Sequence, residues 1–301
     1  MTATVGIIGD LINSAYARAR TAFRARSLEG YQSLAKSQHA QGSAFLDVNL
    51  DGTQQIQVRQ QEMLDFLPDL IPALQEAAPI PLCIDNPSVH YHRVALEAYD
   101  RSKGAPIVNS VAASRENLDE MIELIKTYDT RVVVMASERF VEGGTAQCMS
   151  PEDVHAAARH FAELLATKAG RSNDQLFIDP GLAPVGADTY GLVNIGLDAM
   201  RLIRKDPDLK GVHFTVGLSN FAWGTPKFIR HDLEKAYLTI ASQAGLDFAI
   251  ANPEHDPRPL PDDHEIVAKL RSALDAGRMQ DGEDRETAGF RQAEAVLGIW
   301  S

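Results

Sequence analysis

Cysteine is scarce in this chain. Among 301 residues there are two, Cys83 and Cys148, too few for a disulfide framework or a four-cysteine zinc site, and neither sits in a C-x-x-C pair. Cys83 lies inside an apolar run and is expected simply to pack there. Positive charge is also short, with 29 Lys and Arg against 41 Asp and Glu, for a formal charge of −12. That balance, without a basic run able to follow a phosphate backbone, excludes nucleic acid and anionic membrane as main partners. The apolar runs are strand-sized, below the roughly 18 to 20 residues that cross a bilayer, and the N-terminal stretch has neither the basic nor the apolar region of a signal peptide. A cytoplasmic location is expected. No Gly-rich phosphate turn follows the first run, which continues GDLINS, and this counts against a dinucleotide-binding sheet.

What the chain does have is 45% hydrophobic residues, arranged with a regular beat. Eight short runs rich in Val, Ile and Phe each close on a polar residue: 5–10 (VGIIGD), 44–49 (AFLDVN), 81–85 (PLCID), 106–110 (PIVNS), 131–137 (RVVVMAS), 176–179 (LFID), 213–220 (HFTVGLSN) and 248–252 (FAIAN). Between them lie helix-period segments such as 64–77, 118–126, 151–168, 191–204 and 235–244. Near-continuous apolar runs of this length suit parallel strands buried on both faces. Eight strand–helix units make one α/β domain, a (β/α)8 or TIM barrel, spanning 1–301. The stretch 254–301, just after Pro253, reads as a last loop marked by Pro257, Pro259 and Pro261, an eighth helix resuming at His264, and a C-terminal extension. Leu297, Ile299 and Trp300 are expected to dock that tail.

Barrel enzymes place their chemistry at the carboxyl ends of the strands. Here those ends carry Asp10 and Asn13, Asp47 and Asn49, Asp85 and Asn86, Asn109 and Ser110, Ser137, Asp179, Ser219 and Asn220, and Asn252. Lys, His and Cys are missing from the set. A Schiff-base aldolase needs a strand-borne Lys and a metal hydrolase needs histidines at coordinating spacing, so both are excluded and no metal is expected. His90 and His92 form an H-x-H beyond the third strand, read as a surface pair. Carboxylates accept hydrogen bonds and amides both donate and accept. A ring of them matches a planar heterocycle whose edge alternates donors and acceptors, and a pterin has such an edge. Any one acid could be structural; six polar tips in succession point to a site.

The runs LDVN (46–49), CIDNP (83–87), VNS (108–110), IDPG (178–181), GLSN (217–220) and GLDFAIANP (245–253) occur in order at these ends. Together they resemble the pterin-binding barrel family, which includes dihydropteroate synthases and the methyltetrahydrofolate:corrinoid methyltransferases. The synthase signals are absent: Ala183 and Pro184 follow IDPG where a Lys is usual, GLSN replaces S-R-K, and Asn252-Pro253 stands at the eighth strand. The resemblance is closer to the methyltransferase branch. It implies that Asp85, Asn109 and Asp179 bind the pterin, with Asp10, Asn13, Asp47, Asn49 and Ser219 completing the surface, and that Asn220 hydrogen-bonds near N5 and assists catalysis. Asp10 stands where the branch often has Glu, and Phe221-Ala222-Trp223 replaces its V-S-Q. Helix N-capping is the structural alternative for Asn220.

The implied substrates are tetrahydrofolate or methyltetrahydrofolate and a cobalamin (corrinoid) carried by a partner protein. The cobalt-ligating D-x-H-x-x-G pattern is absent from this chain, since Asp153-Val154-His155 is followed by Ala158 where Gly would stand. A homodimer is implied as well. Dihydropteroate synthase and a non-catalytic folate-binding protein are the alternative functions. Arg18, Arg20, Arg24 and Arg26 read as an exposed helix face, with an anionic group at the mouth as the other use.

Overall fold

The computed structural model describes residues 4–300. Its strands are β1 (Gly6–Asn13), β2 (Phe45–Asn49), β3 (Leu82–Asp85), β4 (Ile107–Val111), β5 (Arg131–Met135), β6 (Glu138–Val141), β7 (Gly144–Gln147), β8 (Leu176–Asp179), β9 (His213–Phe214) and β10 (Phe248–Ala251). Eight of them form one sheet in the order β10-β1-β2-β3-β4-β5-β8-β9, every pair parallel. The ring closes where the Ile250 amide donates to the Val216 carbonyl at 2.9 Å and Gly217 bridges to Ile250. Eight parallel strands so joined are the (β/α)8 barrel expected from the eight runs. Among the described residues no helix is long and apolar enough to cross a membrane.

Helices α1 (Ala17–Arg24), α2 (Leu28–Ala40), α3 (Gln60–Ala77), α4 (Val89–Ala98), α5 (Leu118–Tyr128), α6 (Pro151–Ala169), α7 (Leu192–Lys205), α8 (Arg230–Ala244), α9 (Glu265–Ala276) and α10 (Arg285–Leu297) surround the sheet. Their ends follow local chemistry. α6 opens with Ser150 accepting from the Asp153 amide and Pro151 at the first position, where a missing N–H costs nothing, and it closes on Gly170 in the left-handed region.

Side-chain alternation along each strand makes two cores. Leu46, Val48, Leu82, Ile84, Val108, Val132, Val134, Leu176 and Ile178 face the helices in the large outer cluster. Ile8, Phe45, Cys83, Ile107, Val133 and Phe177 fill the barrel interior, with Phe248 and Ile250 against them. Cys83 is thus a packing residue, as its apolar setting suggests.

Four expectations are corrected. The seventh run forms only a two-residue strand, His213–Phe214, followed by a single bridge at Gly217, and the rest of GLSN turns into a short 3-10 segment, Leu218–Asn220. The fifth strand stops at Met135, and an antiparallel hairpin, β6–β7, follows at once around Gly143 with φ +77°. The H-x-H is not a surface pair. Positions two apart on a helix point in different directions, so α4 exposes His90 but turns His92 into the interior, where its Nε2 meets the Asn86 carbonyl at 2.8 Å. Burial lowers the His92 pKa to about 4, which keeps it neutral. In the tail, Ile299 is buried and Trp300 packs on the core, whereas Leu297 is half exposed.

α9 follows the last strand as the eighth helix, and α10 packs against it and over the turn before α7. That docking depends on a bare backbone at Gly289, where a β-carbon would stand 2.0 Å from the Thr189 carbonyl oxygen. Beside it Gln292 donates to the Asp188 carboxylate at 3.1 Å, and Asn194 donates to the Leu274 carbonyl at 2.7 Å. Gly289→Ala is expected to destabilise the fold by about 1–3 kcal/mol through overpacking against backbone. Denaturant unfolding of the variant beside the wild type checks this, and an unchanged midpoint refutes it.

Candidate active site

The polar ring arises from the same alternation that fills the interior. Two residues beyond each interior apolar residue, on the same face, stands a polar one: Asp10 after Ile8, Asp47 after Phe45, Asp85 after Cys83, Asn109 after Ile107, Asp179 after Phe177. The register aligns them, with Asp85 opposite Asn109, Asp47 opposite Cys83 and Met135 opposite Asp179. The apolar layer is the floor of the mouth and the acids are its lining.

Asp10, Asp47, Asp85 and Asn109 gather on the β1–β4 side. Tyr16 donates to Asp10 Oδ1 at 2.9 Å, and Asn49 Nδ2 donates to Asp85 Oδ2 at 2.9 Å. Burial raises Asp10 and Asp85 to about 6. It pushes Asp47 well above the ordinary carboxylate range, and the Asp85 charge nearby pushes in the same direction. Among the described residues Asp47 Oδ1 meets no donor. A buried acceptor without a partner is costly to the free protein and ready for a ligand N–H. Arg115, which donates to Ser110 Oγ at 3.1 Å, is a cation near enough to lower Asp85 slightly.

On the opposite side Asp179 and Asn220 line one cavity of about 270 Å³, together with Ser137, Gln147, Cys148, Gly181 and Gly217. Asp179 is raised to about 6 by burial and accepts from the Gly181 amide at 2.8 Å. Gly181 makes this bond with φ +86°, where a β-carbon would stand 2.7 Å from Ser137. Asn220 is exposed, and its Nδ2 lies only 2.9 Å from where a β-carbon on Gly217 would be. It does not cap α8, which begins ten residues later at Arg230 behind Ile229. No Lys, Arg or His is among the residues that line this cavity.

The remaining expected residues lie around these two poles. Asn13 is tied up locally, accepting from the Ala15 amide at 2.8 Å, and Asn49 serves Asp85. Ser219 is exposed and lines a neighbouring cavity with Tyr16, Asn252 and His255. The four arginines bind backbone and acids at the rim: Arg18 pairs with Glu254 at 2.6 Å, Arg20 donates to the Ser14 and Ala15 carbonyls, Arg24 to Gln55 and Arg26 to Glu62. Sequence reading missed Tyr16, and it missed Gln147 and Cys148, which the hairpin brings to the cavity wall. The signal for the hairpin was Gly143-Gly144 between two short alternating stretches.

A closed parallel barrel with its polar side chains collected at the carboxyl ends of the strands is a (β/α)8 barrel with its site at the mouth. The chain belongs to the pterin-binding enzyme family, whose model matches residues 13–252. It is 24% identical over 249 residues, covering 82% of this chain and 84% of the relative, to the methylcorrinoid:tetrahydrofolate methyltransferase of Eubacterium limosum. Among solved structures it resembles the dihydropteroate synthase of Vibrio fischeri ES114 (TM-score 0.62, 15% identity, 99% and 94% of the two chains). A Yersinia pestis dihydropteroate synthase with a pterine-sulfa conjugate is also similar (TM-score 0.58, 16% identity, 99% and 95%). At these identities the solved structures establish the shared fold.

Replacing Asp47 by Asn keeps the shape and removes a buried carboxyl. A group whose pKa is raised on folding favours the folded state below its unfolded pKa of about 3.8 and loses that contribution as pH rises through its folded value. Asp47→Asn is therefore expected to raise the melting midpoint, and to do so more at pH 8 than at pH 5. Melting curves at the two pH values measure the gap; a gap that shrinks with pH contradicts the assignment of Asp47 as a costly buried acid.

Proposed function

We propose that this protein transfers a methyl group between N5 of tetrahydrofolate and the cobalt of a separate corrinoid protein. The observation that carries the reading is the Asp179–Asn220 cavity: a buried carboxylate and an exposed amide share one space without a cationic side chain among its lining residues. The carboxylate suits the N–H edge of a pterin. The amide, outside at the rim, suits N5 and leaves the methyl facing a large partner. Condensation of a pterin pyrophosphate would call for cations to hold the leaving group, and this cavity supplies none. The name and 82% coverage of the Eubacterium limosum relative support the same reading.

In the transfer from folate the methyl carbon exchanges its bond to N5 for one to the reduced cobalt. N5 keeps the electron pair and takes a proton from solvent. Asn220 donates to N5 as that pair becomes available, an interaction that strengthens toward the transition state. Asp179, Asp85 and Asn109 hold the ring, and the alignment of methyl and acceptor supplies the rest of the acceleration. The reverse direction uses the same contacts. The partner brings the corrinoid, and a pair of these chains forms the working homodimer.

Asn220→Ala is expected to lower the single-turnover rate from methyltetrahydrofolate to cob(I)alamin by about 10² to 10³, with a smaller loss of folate affinity. Gly217→Ala should mimic it in part, because the new methyl displaces the amide. A normal rate in Asn220→Ala removes the catalytic assignment. Formation of dihydropteroate from pterin pyrophosphate and p-aminobenzoate by the wild type would identify a synthase, and folate binding without transfer would identify a binding protein.

Asp179→Asn is expected to weaken folate binding by about 1.5–3 kcal/mol, the range for a hydrogen bond to a charged group. Since burial raises Asp179 to about 6 and the anion is the stronger acceptor, wild-type affinity should hold above that pH and fall as pH drops through it. The variant should lack this inflection. Calorimetric titration from pH 5 to pH 8 makes the comparison; identical profiles would take Asp179 out of the pterin site.

A further inference from the structure

Beside the pterin mouth lies a second group of residues that methyl transfer does not use. His231 and Glu234 stand one turn apart on the first turn of α8, and His255 reaches them from the short turn Pro253–His255 after β10. One donor atom from each lies within 4.8 Å of the other two. His231 Nδ1 is 3.2 Å from Glu234 Oε2, and the two imidazole rings face each other at 3.8 Å with a tilt of 38°. We propose that His231, Glu234 and His255 bind one divalent transition-metal ion of the zinc class.

Two imidazoles and one carboxylate form a donor set suited to zinc, cobalt(II) or nickel rather than to magnesium or calcium, which prefer oxygen. Tetrahedral ligation at about 2.0–2.2 Å places donor atoms roughly 3.3 Å apart. His231 and Glu234 already stand at about that spacing, and the longer separations, all within 4.8 Å, close by small side-chain rotations, His231 being 46% exposed and Glu234 14%. Asn252 Nδ2 stands 3.4 Å from His255 Nε2, on the wall of the same cavity. Three protein ligands leave a fourth position, and the geometry provides space for it: a cavity of about 170 Å³ lined by all three residues and by Tyr16, Ser219 and Trp223. Water or an anionic group fits there. Tyr16 donates to Asp10, so the ion would adjoin the acid cluster.

The inference departs from the expectation that this chain holds no metal. That expectation inspected the strand tips and the H-x-H, whereas these ligands come from a helix and a loop 21 residues apart (234 to 255). The only local trace is H-x-x-E at 231–234, which puts both side chains on one helix face.

The test measures metal binding and not methyl transfer, so its result is separate from that of the proposed function. Chelator-treated protein is titrated calorimetrically with Zn²⁺ and, by visible absorption, with Co²⁺. The expected result is one saturable ion per chain, tetrahedral cobalt absorption, and a raised melting midpoint with Zn²⁺. Glu234→Gln and His255→Ala should each weaken binding by about tenfold or more, and His90→Ala should leave it unchanged. His231→Ala, at the exposed ligand, provides the same readout should His255→Ala fold poorly. Absence of a saturable site, or equal affinity in the wild type and the ligand variants, overturns the proposal.

Discussion

The structure depends on keeping several carboxylates out of water without matching each to a cation. Asp10, Asp85 and Asp179 are each held at about 6 by burial, and Asp47 is pushed well above the ordinary carboxylate range. A rise from 3.8 to about 6 corresponds to about 3 kcal/mol against the folded state at neutral pH for each acid. The interior layer beneath them offsets this, with Phe45, Phe177 and Phe248 in edge and tilted contacts at 5.0–6.0 Å and Ile8, Ile107 and Val133 around them. The aromatic floor therefore does more than fill space. It keeps the strands in register so that the acids two residues further on converge.

This alternation is also why so much was legible in the sequence. A run such as LCID carries its helix-facing residues, Leu82 and Ile84, its interior residue, Cys83, and its site residue, Asp85, in four letters. Strand position, face and the polar tip at the mouth can all be read from it, and the eight runs sufficed for the barrel and the acid ring. Reading failed where backbone leaves the strand pattern. GLSN looks like the end of a long strand but turns at Gly217, and β6–β7 is too short and polar to stand out. His92 was misread because its direction depends on which residue starts α4. Tyr16 and Cys148 reach the mouth from loops and Gln147 from the end of the four-residue β7, so no periodicity marks them.

The two halves of the site are built differently. Asp10, Asp47, Asp85 and Asn109 sit on strands and are fixed by the sheet, while Asn220 rides on a short turn whose shape rests on Gly217. A fixed polar wall on one side and an exposed polar tip on the other would let the proposed transfer hold a ring apart from the place where a second molecule arrives. The family's solved structures keep the barrel at 15–16% identity. A floor tolerant of hydrophobic exchange allows this, since packing asks for volume and pattern more than for particular residues.

The barrel has a seam. Most neighbouring strands share three or four aligned pairs, but β9 pairs with β8 through two, and its continuation reaches β10 through one bridge and the Ile250 amide. A closed sheet breathes first where its ladder is thinnest, on a local scale well short of global unfolding. Amide hydrogens at Thr215 and Ile250 should therefore exchange with solvent sooner than those of β2 to β5. Asn220 lies just past that seam, so the rim can widen next to it while the rest of the cylinder stays shut, giving a bulky visitor room without dismantling the bed in which a flat ring would lie.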